Sequence, residues 1–154
     1  MIDADTADDV PGWFWDVIDL TRPSVAALET WLATQPEQTI ARFAFAYWTA
    51  STDLADYAGG IEVDGFAWSE DDMEDLCEWV VSQGRTYWQS VMSGEHSLQD
   101  AAAIYADRST HWSTEVANPE HRGYQAPGSI AHGVYWSRFG TYLDDRLDEP
   151  DFQP

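Results

Sequence analysis

Five carboxylates crowd a short run of the chain, at Glu70, Asp71, Asp72, Glu74 and Asp75. Like charges at this spacing raise the pKa of a carboxyl group and so suit a general acid or base, while their oxygen atoms suit calcium or magnesium. The run lacks the spacing of an EF-hand loop, and acidic residues are favoured in the first turn of any helix. We therefore expect solvated helix capping and no metal. Glu70, Asp71 and Asp72 are candidates for contact with a basic partner, and Asp71 is also a candidate acid or base.

Three histidines and two glutamates share the C-terminal third of the chain: His111, His121, His132, Glu115 and Glu120. Histidines together with a carboxylate form the ligand sets of zinc and non-haem iron, but these spacings match no metal motif. We expect structural or surface roles for the histidines. The alternative is catalytic, because His121 and Glu115 could act as an acid/base pair if folding brings them together.

Aromatic residues form the third group, with nine Trp, seven Tyr and six Phe. Side chains of this size bury about 150–250 Å² each, so we expect most of them to fill the core. A subset could instead line a pocket that holds a cationic or planar ligand by cation–π or stacking contacts. The ligand-binding candidates are Trp48, Trp68, Trp112 and Tyr124. Trp68 and Trp112 lie at predicted helix boundaries, where exposure is expected.

Several familiar enzyme motifs are absent from the sequence. It contains no G-x-S-x-G elbow, no phosphate-binding glycine loop, no H-E-x-x-H helix and no dinucleotide fingerprint. The sequence therefore leaves open whether the protein is an enzyme, and it identifies no cofactor.

The charge balance is strongly negative, because 28 acidic residues face seven arginines and no lysine, for a formal net charge of −21. Nucleic acids and anionic membranes require clustered cations, so neither is expected as a partner. A field of this sign speeds association with cations and repels like molecules. We expect a basic protein or a cationic or aromatic small molecule as partner, and a monomer or homodimer. Coding bias or a salt-rich habitat is the alternative explanation of the charge.

The single cysteine, Cys77, excludes an internal disulfide and a cysteine-based zinc cage. Its place in an apolar helical stripe predicts a buried, inert thiol. Residues 1–9 are acidic where a signal peptide needs positive charge, and no apolar run approaches the ~20 residues that span a bilayer. We therefore expect a cytoplasmic protein.

Proline and serine mark the first helices. One helix is expected between Pro11 and Pro23, and a second follows a cap at Ser24. A third begins at Pro36, and residues 51–53 could cap a short continuation of it.

Further signals divide the middle of the chain. Residues 61–68 alternate too weakly for a strand and are expected to form a loop. Ser69 predicts the N-cap of a helix that stops at a left-handed Gly84, and residues 86–92 predict a further helix. Ser97 begins the next helix with a second capping box.

Residues 119–128 hold two prolines and two glycines, which is typical of an ordered functional loop or a mobile lid. A last helix is expected over residues 130–147. Together these signals predict an all-α fold, a single-domain helical bundle with an irregular C-terminal loop segment. We expect the domain to span 11–148, with an acidic lead-in at 1–10 and a tail at 149–154.

The run from Ser69 to Arg85 resembles the signature of a bacterial family catalogued as domain of unknown function 4240. Members of that family carry Ser-Asp-Asp, an aromatic residue, Trp-Leu-Ile and a Gly-Arg pair. In this chain Glu70-Asp71 stand at the paired acidic positions, Trp79-Val80-Val81 at Trp-Leu-Ile, and Gly84-Arg85 at Gly-Arg.

The resemblance extends over about residues 11–105, with departures. Met73 replaces the usual aromatic residue, Cys77 falls where many members carry arginine, and Trp68 sits where a Gly-Gly-Cys segment normally ends. The resemblance implies a shared fold and brings no activity with it.

The leading hypothesis from the sequence is a small, acidic, cytoplasmic binding protein that engages a basic protein partner. The alternative is a small-molecule-binding protein or enzyme with an aromatic-lined pocket, in which His121, Glu115 or Asp71 supplies acid/base chemistry.

Overall fold

The computed structural model describes residues 10–55, 60–107, 112, 126–150 and 152. Eight helices and one small hairpin are present in this part of the chain, so the predicted all-α class is confirmed. The elements are α1 (Gly12–Thr21), α2 (Val25–Ala33), α3 (Glu37–Ala55), β1 (Glu62–Val63), β2 (Phe66–Ala67), α4 (Glu70–Ser82), α5 (Arg85–Met92), α6 (Leu98–Asp107), α7 (Pro127–Phe139) and α8 (Leu143–Leu147).

Helix α3 is the centre of the bundle, because it packs on both α4 and α7. Its buried stripe includes Phe43 and Tyr47, whose rings lie 5.2 and 6.0 Å from the ring of Phe14 on α1. The hydroxyl of Tyr47 donates to the carbonyl oxygen of Glu78 on α4. From α5, Trp88 Nε1 donates to Ala50 O at 3.1 Å. Large aromatic side chains thus fill the core and also tie helices together.

Helix α7 is held against α3 by a polar cluster and a close approach. Tyr135 donates from its hydroxyl to Glu37 Oε1 at 2.6 Å, and Arg146 Nε lies 3.2 Å from the same oxygen. Burial, reinforced by the bond to Glu37, raises the pKa of Tyr135 to about 12. Gly128 faces Tyr47 so closely that a Cβ there would lie 2.9 Å from Tyr47 Cδ1. A glycine at this position lets the two helices meet.

The predicted serine caps at Ser24 and Ser97 agree with the structure. Ser24 Oγ accepts from Ala27 N at 3.1 Å at the start of α2, and Ser97 Oγ accepts from Asp100 N at 3.0 Å at the start of α6. Cys77 is buried as expected, and burial raises the pKa of its thiol to about 11. At the edges of the expected domain, Val10 and Phe152 are buried, and the boundaries themselves stay a prediction.

Two expectations in the first half of the chain are wrong. Helix α3 runs unbroken to Ala55, because the hydroxyls of Ser51 and Thr52 donate back to the carbonyls four residues earlier and do not form a new cap. Residues 61–68 are not a plain loop. Strands β1 and β2 pair around Asp64-Gly65, which both have positive φ (53° and 81°), the conformation of a tight hairpin turn.

The C-terminal expectations also need correction. Pro127 and Gly128 belong to the first turn of α7 and not to the predicted loop, whose residues 119–125 lie outside the described part. The last helix is two helices, because Gly140 takes the left-handed conformation (φ 69°, ψ 16°) and ends α7. Helix α8 starts at Leu143 on a new axis.

Gly84 ends α4 with a positive φ of 99°, but its ψ of 170° is extended and not the expected left-handed helical value. This region of backbone space is almost exclusive to glycine. A Cβ at Gly84 would also lie 2.7 Å from Asp19 Oδ1 and 3.0 Å from Arg22 Nη1. The Arg22 guanidinium donates to the carbonyl oxygen of Gln83. The junction of α1, α4 and α5 therefore leaves no space for a side chain at position 84.

We predict that Gly84→Ala lowers the free energy of unfolding by about 2–3 kcal/mol, because it combines backbone strain with displacement of Asp19 and Arg22. Gly140→Ala is the matched control, since that glycine is left-handed helical and a methyl group added there would meet nothing within 4 Å. It should cost only about 1 kcal/mol. Urea unfolding followed by tryptophan fluorescence measures both, and equal losses would show that the close contacts of Gly84 do not matter.

Candidate functional site

The acidic first turn of α4 is a capping box. Asp72 N donates to Ser69 Oγ at 3.2 Å, and Ser69 N donates to Asp72 Oδ2 at 3.0 Å. The backbone N–H and the hydroxyl of Ser69 both donate to the Asp72 carboxylate, and these two bonds hold the pKa of Asp72 below its usual value. The predicted cap is therefore confirmed, and Asp72 has a structural role in it. Glu70 and Asp71 are exposed on the same turn, and their contact with a partner stays a prediction.

Two carboxyl groups further along α4 have raised pKa values. Partial burial, with Asp72 and Asp71 nearby, raises the pKa of Asp75. Burial, with Asp75 and Glu74 nearby, also raises the pKa of Glu78. A carboxyl group with a raised pKa favours the folded state when protonated, so its ionisation at neutral pH opposes folding.

We predict that Glu78→Gln stabilises the protein at neutral pH by roughly 0.5–1 kcal/mol, since it removes a charge from a partly buried position and also removes two like-charge pairs on one helix face. The advantage of the variant over the parent should shrink as the pH falls through the raised pKa of Glu78, because the parent then becomes neutral at that site. Denaturant unfolding at a series of pH values measures this difference.

Asp72→Asn is the control for that series, because the pKa of Asp72 is lowered and its ionised form supports the cap. This substitution should destabilise the protein at neutral pH, and its effect should fade in acid. An Asp72→Asn variant more stable than the parent at neutral pH would show that repulsion outweighs capping.

The catalytic candidates are placed unevenly. His121, Glu115 and Tyr124 lie outside the described residues, and Asp71 is exposed on the first turn of α4. Among the described histidines, His96 stacks on Tyr87 with ring centroids 6.0 Å apart, and His132 lies on α7. An acid/base pair of His121 and Glu115 therefore stays a prediction.

The tryptophan candidates have three different environments. Trp112 is almost fully buried, and its Nε1 donates to Ser82 O at 3.0 Å, so the exposure expected for it is wrong. Trp68 is half-buried, with its ring 5.9 Å from that of Tyr105. Trp48 is 62% exposed on α3. A ligand-binding role of any of them stays a prediction. Trp48 lines a groove on the surface.

This aromatic–acidic groove lies between α3, α7 and α8 and has a volume of about 580 Å³. Phe45 and Trp48 form the α3 side, with ring centroids 6.1 Å apart. His132 contributes from α7, Asp144 contributes from α8, and Asp148 contributes from the C-terminal cap of α8. In the described part of the chain, neither aspartate forms an ion pair with an arginine. The groove therefore combines aromatic surface with unneutralised carboxylates.

Of the residues that line this groove, sequence reasoning identified Trp48 as a ligand-binding candidate and named His132 only in the group of C-terminal histidines. Phe45 and Trp48 fall off the stripe of α3 that is buried, and Asp144 and Asp148 are four residues apart and so share a helix face. These two signals were present in the sequence. Their meeting depends on how α7 and α8 dock, which the pattern does not specify.

A second groove, of about 590 Å³, lies at the junction of α1, α4 and α5. It is polar, and its lining includes Arg22, Gly84, Tyr87 and His96. The guanidinium of Arg22 lies 3.7 Å from the carboxylate of Asp19 and donates to a helix carbonyl. The Arg22 guanidinium in this groove is thus already bound by groups of the same chain.

Metal clusters and membrane-spanning helices are both absent from the described residues. No group of three or more His, Cys, Asp or Glu side chains is placed to hold a metal ion in that part of the chain. None of the described helices combines the length and apolar character that crossing a membrane requires.

Fold and surface together define a small all-α protein with an acidic, aromatic groove. A family model described as "Protein of unknown function (DUF4240)" matches residues 12–124, and the chain belongs to that family. No curated protein and no solved structure matches the chain.

The family signature is explained by the fold. Ser69 caps α4, Trp79 and the two valines after it are buried, and Gly84 forms the tight junction with Arg22. Each of these positions holds the bundle together. The exposed members of the signature are Arg85 and the acidic pair Glu70-Asp71.

Proposed function

We propose that this protein acts in the cytoplasm as an acidic binding module that recognises a basic partner protein. The observation that carries the proposal is the combination, in one groove, of exposed Phe45 and Trp48 with Asp144 and Asp148, in a chain of formal net charge −21. Aromatic side chains are favoured at binding surfaces because they bury large areas at low entropic cost.

The charge pattern supports the same proposal. Three of the described arginines serve internal contacts: Arg22 and Arg138 donate to helix carbonyls, and Arg146 pairs with Glu37 and Glu149. No ion pair within the described part of the chain involves the surface carboxylates Glu70, Asp71 and Asp144. A basic partner would supply a cation for them and would associate rapidly in this field.

The small-molecule or enzyme alternative has less support from described contacts. Its candidates His121 and Glu115 lie outside the described residues, and Asp71 is solvent-exposed. A small molecule retained in native mass spectrometry of the freshly purified protein would favour that alternative.

We predict that the immobilised protein captures basic proteins from a lysate and that these elute as the salt concentration rises. A resin bearing carboxylates alone is the control for simple cation exchange. The most enriched protein is then purified and titrated calorimetrically, and its affinity should fall severalfold as the Debye length shrinks from about 10 Å at 0.1 M to about 3 Å at 1 M salt.

Two results would overturn the proposal. One is a captured set with no excess of basic proteins over the resin control. The other is a purified partner whose affinity does not change with salt, since recognition of cations by exposed carboxylates must be screened.

A further inference from the structure

We propose that the aromatic–acidic groove holds an arginine side chain of the partner protein, with its guanidinium on Trp48 and its N–H groups directed at Asp144 and Asp148. This inference rests on the proposed function and specifies which group of the partner is recognised and where. The occupant is a single exposed arginine in a basic segment of another protein.

The shape of the groove favours a planar cation. Trp48 is 62% exposed, and the ring of Phe45 lies 6.1 Å away at an interplanar angle of 33°. A guanidinium stacks on such aromatic faces and is more weakly hydrated than an ammonium group, so it loses less on entering a groove. The aromatic side of the groove therefore suits arginine better than lysine.

The carboxylates provide the second half of the recognition. Asp144 lies in the first turn of α8, Asp148 is the residue that caps its C-terminal end, and both line the groove. Guanidinium N–H groups form a fixed fork that matches carboxylate oxygens. No described arginine pairs with either aspartate or stacks on Trp48. The groove thus offers a cation site that the chain does not fill from its described residues.

The chain's own arginines show the same arrangement nearby. The guanidinium carbon of Arg146 lies 4.5 Å from the ring centroid of Phe152 while the side chain pairs with Glu37 and Glu149. Arg138 likewise lies 4.9 Å from the ring centroid of Phe139. An aromatic ring combined with carboxylates is therefore an arginine environment already used beside the groove.

Other occupants are less consistent with these observations. A second copy of the chain would bring another formal charge of −21 against the same carboxylates. An apolar side chain would leave Asp144 and Asp148 near a desolvated surface without a partner. A cationic segment is favoured on both counts.

The test uses a fluorescein-labelled peptide in which arginine alternates with glycine, measured by anisotropy at low salt and neutral pH. Matched peptides carry lysine or uncharged citrulline in place of arginine. We expect the arginine peptide to bind most tightly and the citrulline peptide to bind at least tenfold more weakly, because citrulline keeps the shape and loses the charge.

Two pairs of variants separate the groove from the general field. Trp48→Ala should weaken the arginine peptide roughly five- to tenfold, whereas Trp136→Ala, an exposed tryptophan outside the groove lining, should change it less than about twofold. Asp144→Asn with Asp148→Asn should weaken it about tenfold or more, whereas Glu70→Gln with Asp71→Asn removes the same charge elsewhere and should have a small effect.

A direct reading comes from the indole N–H signals in NMR spectra. The signal that is missing from the Trp48→Ala variant should shift on addition of the arginine peptide to the parent protein, while that of Trp136 should not. Circular dichroism of each variant confirms that the helices are retained.

The outcomes distinguish this inference from the proposed function. Equal weakening by both double variants, or lysine binding as tightly as arginine, would overturn the groove inference while leaving a basic partner in place. Absence of binding by both cationic peptides, together with no salt-sensitive basic partner from the lysate, would overturn both.

Discussion

The fold depends on the placement of large aromatic side chains, several of which donate hydrogen bonds from their polar atoms to backbone carbonyls inside the bundle. Tyr47 and Trp88 join α3 to α4 and α5 by donating to backbone carbonyls, and Trp112 does the same at the end of α4. A buried donor without a partner costs about 1–3 kcal/mol, so these bonds fix the helices in register as well as in contact. With α3 fixed, α7 docks on its other side through Tyr135 and Glu37.

The chain has only seven basic residues, and three of them bind groups within the bundle. Arg22 and Arg138 donate to carbonyl groups at the ends of α4 and α2, where the helix dipole favours positive charge. Arg146 joins α8 to Glu37. Because these three arginines bind groups within the bundle, they do not pair with the exposed carboxylates of α4. The pKa values of Asp75 and Glu78 are raised chiefly by burial, with a further contribution from neighbouring carboxylates.

Local features of this structure were accessible from the sequence. Ser24, Ser69 and Ser97 marked helix starts, and the place of Cys77 in an apolar helical stripe predicted its burial. Long-range features were not accessible. The hairpin depends on Asp64-Gly65 but has only two residues per strand, too few for a periodic signal. The burial of Trp112 depends on a bond to Ser82, thirty residues earlier, which no local pattern specifies.

The groove also depends on how distant helices pack together. Its two sides come from different parts of the chain relative to the family match. Its α3 side, Phe45 and Trp48, lies within residues 12–124 that the family model matches, whereas His132, Asp144 and Asp148 lie beyond them. The signature residues on α4 hold the bundle together. The matched part of the chain thus provides the scaffold and the aromatic half of the groove, and the segment after it provides the charged half. The two halves therefore come from different parts of the chain, and a change confined to the segment after residue 124 would alter the groups opposite Phe45 and Trp48 without altering those two residues.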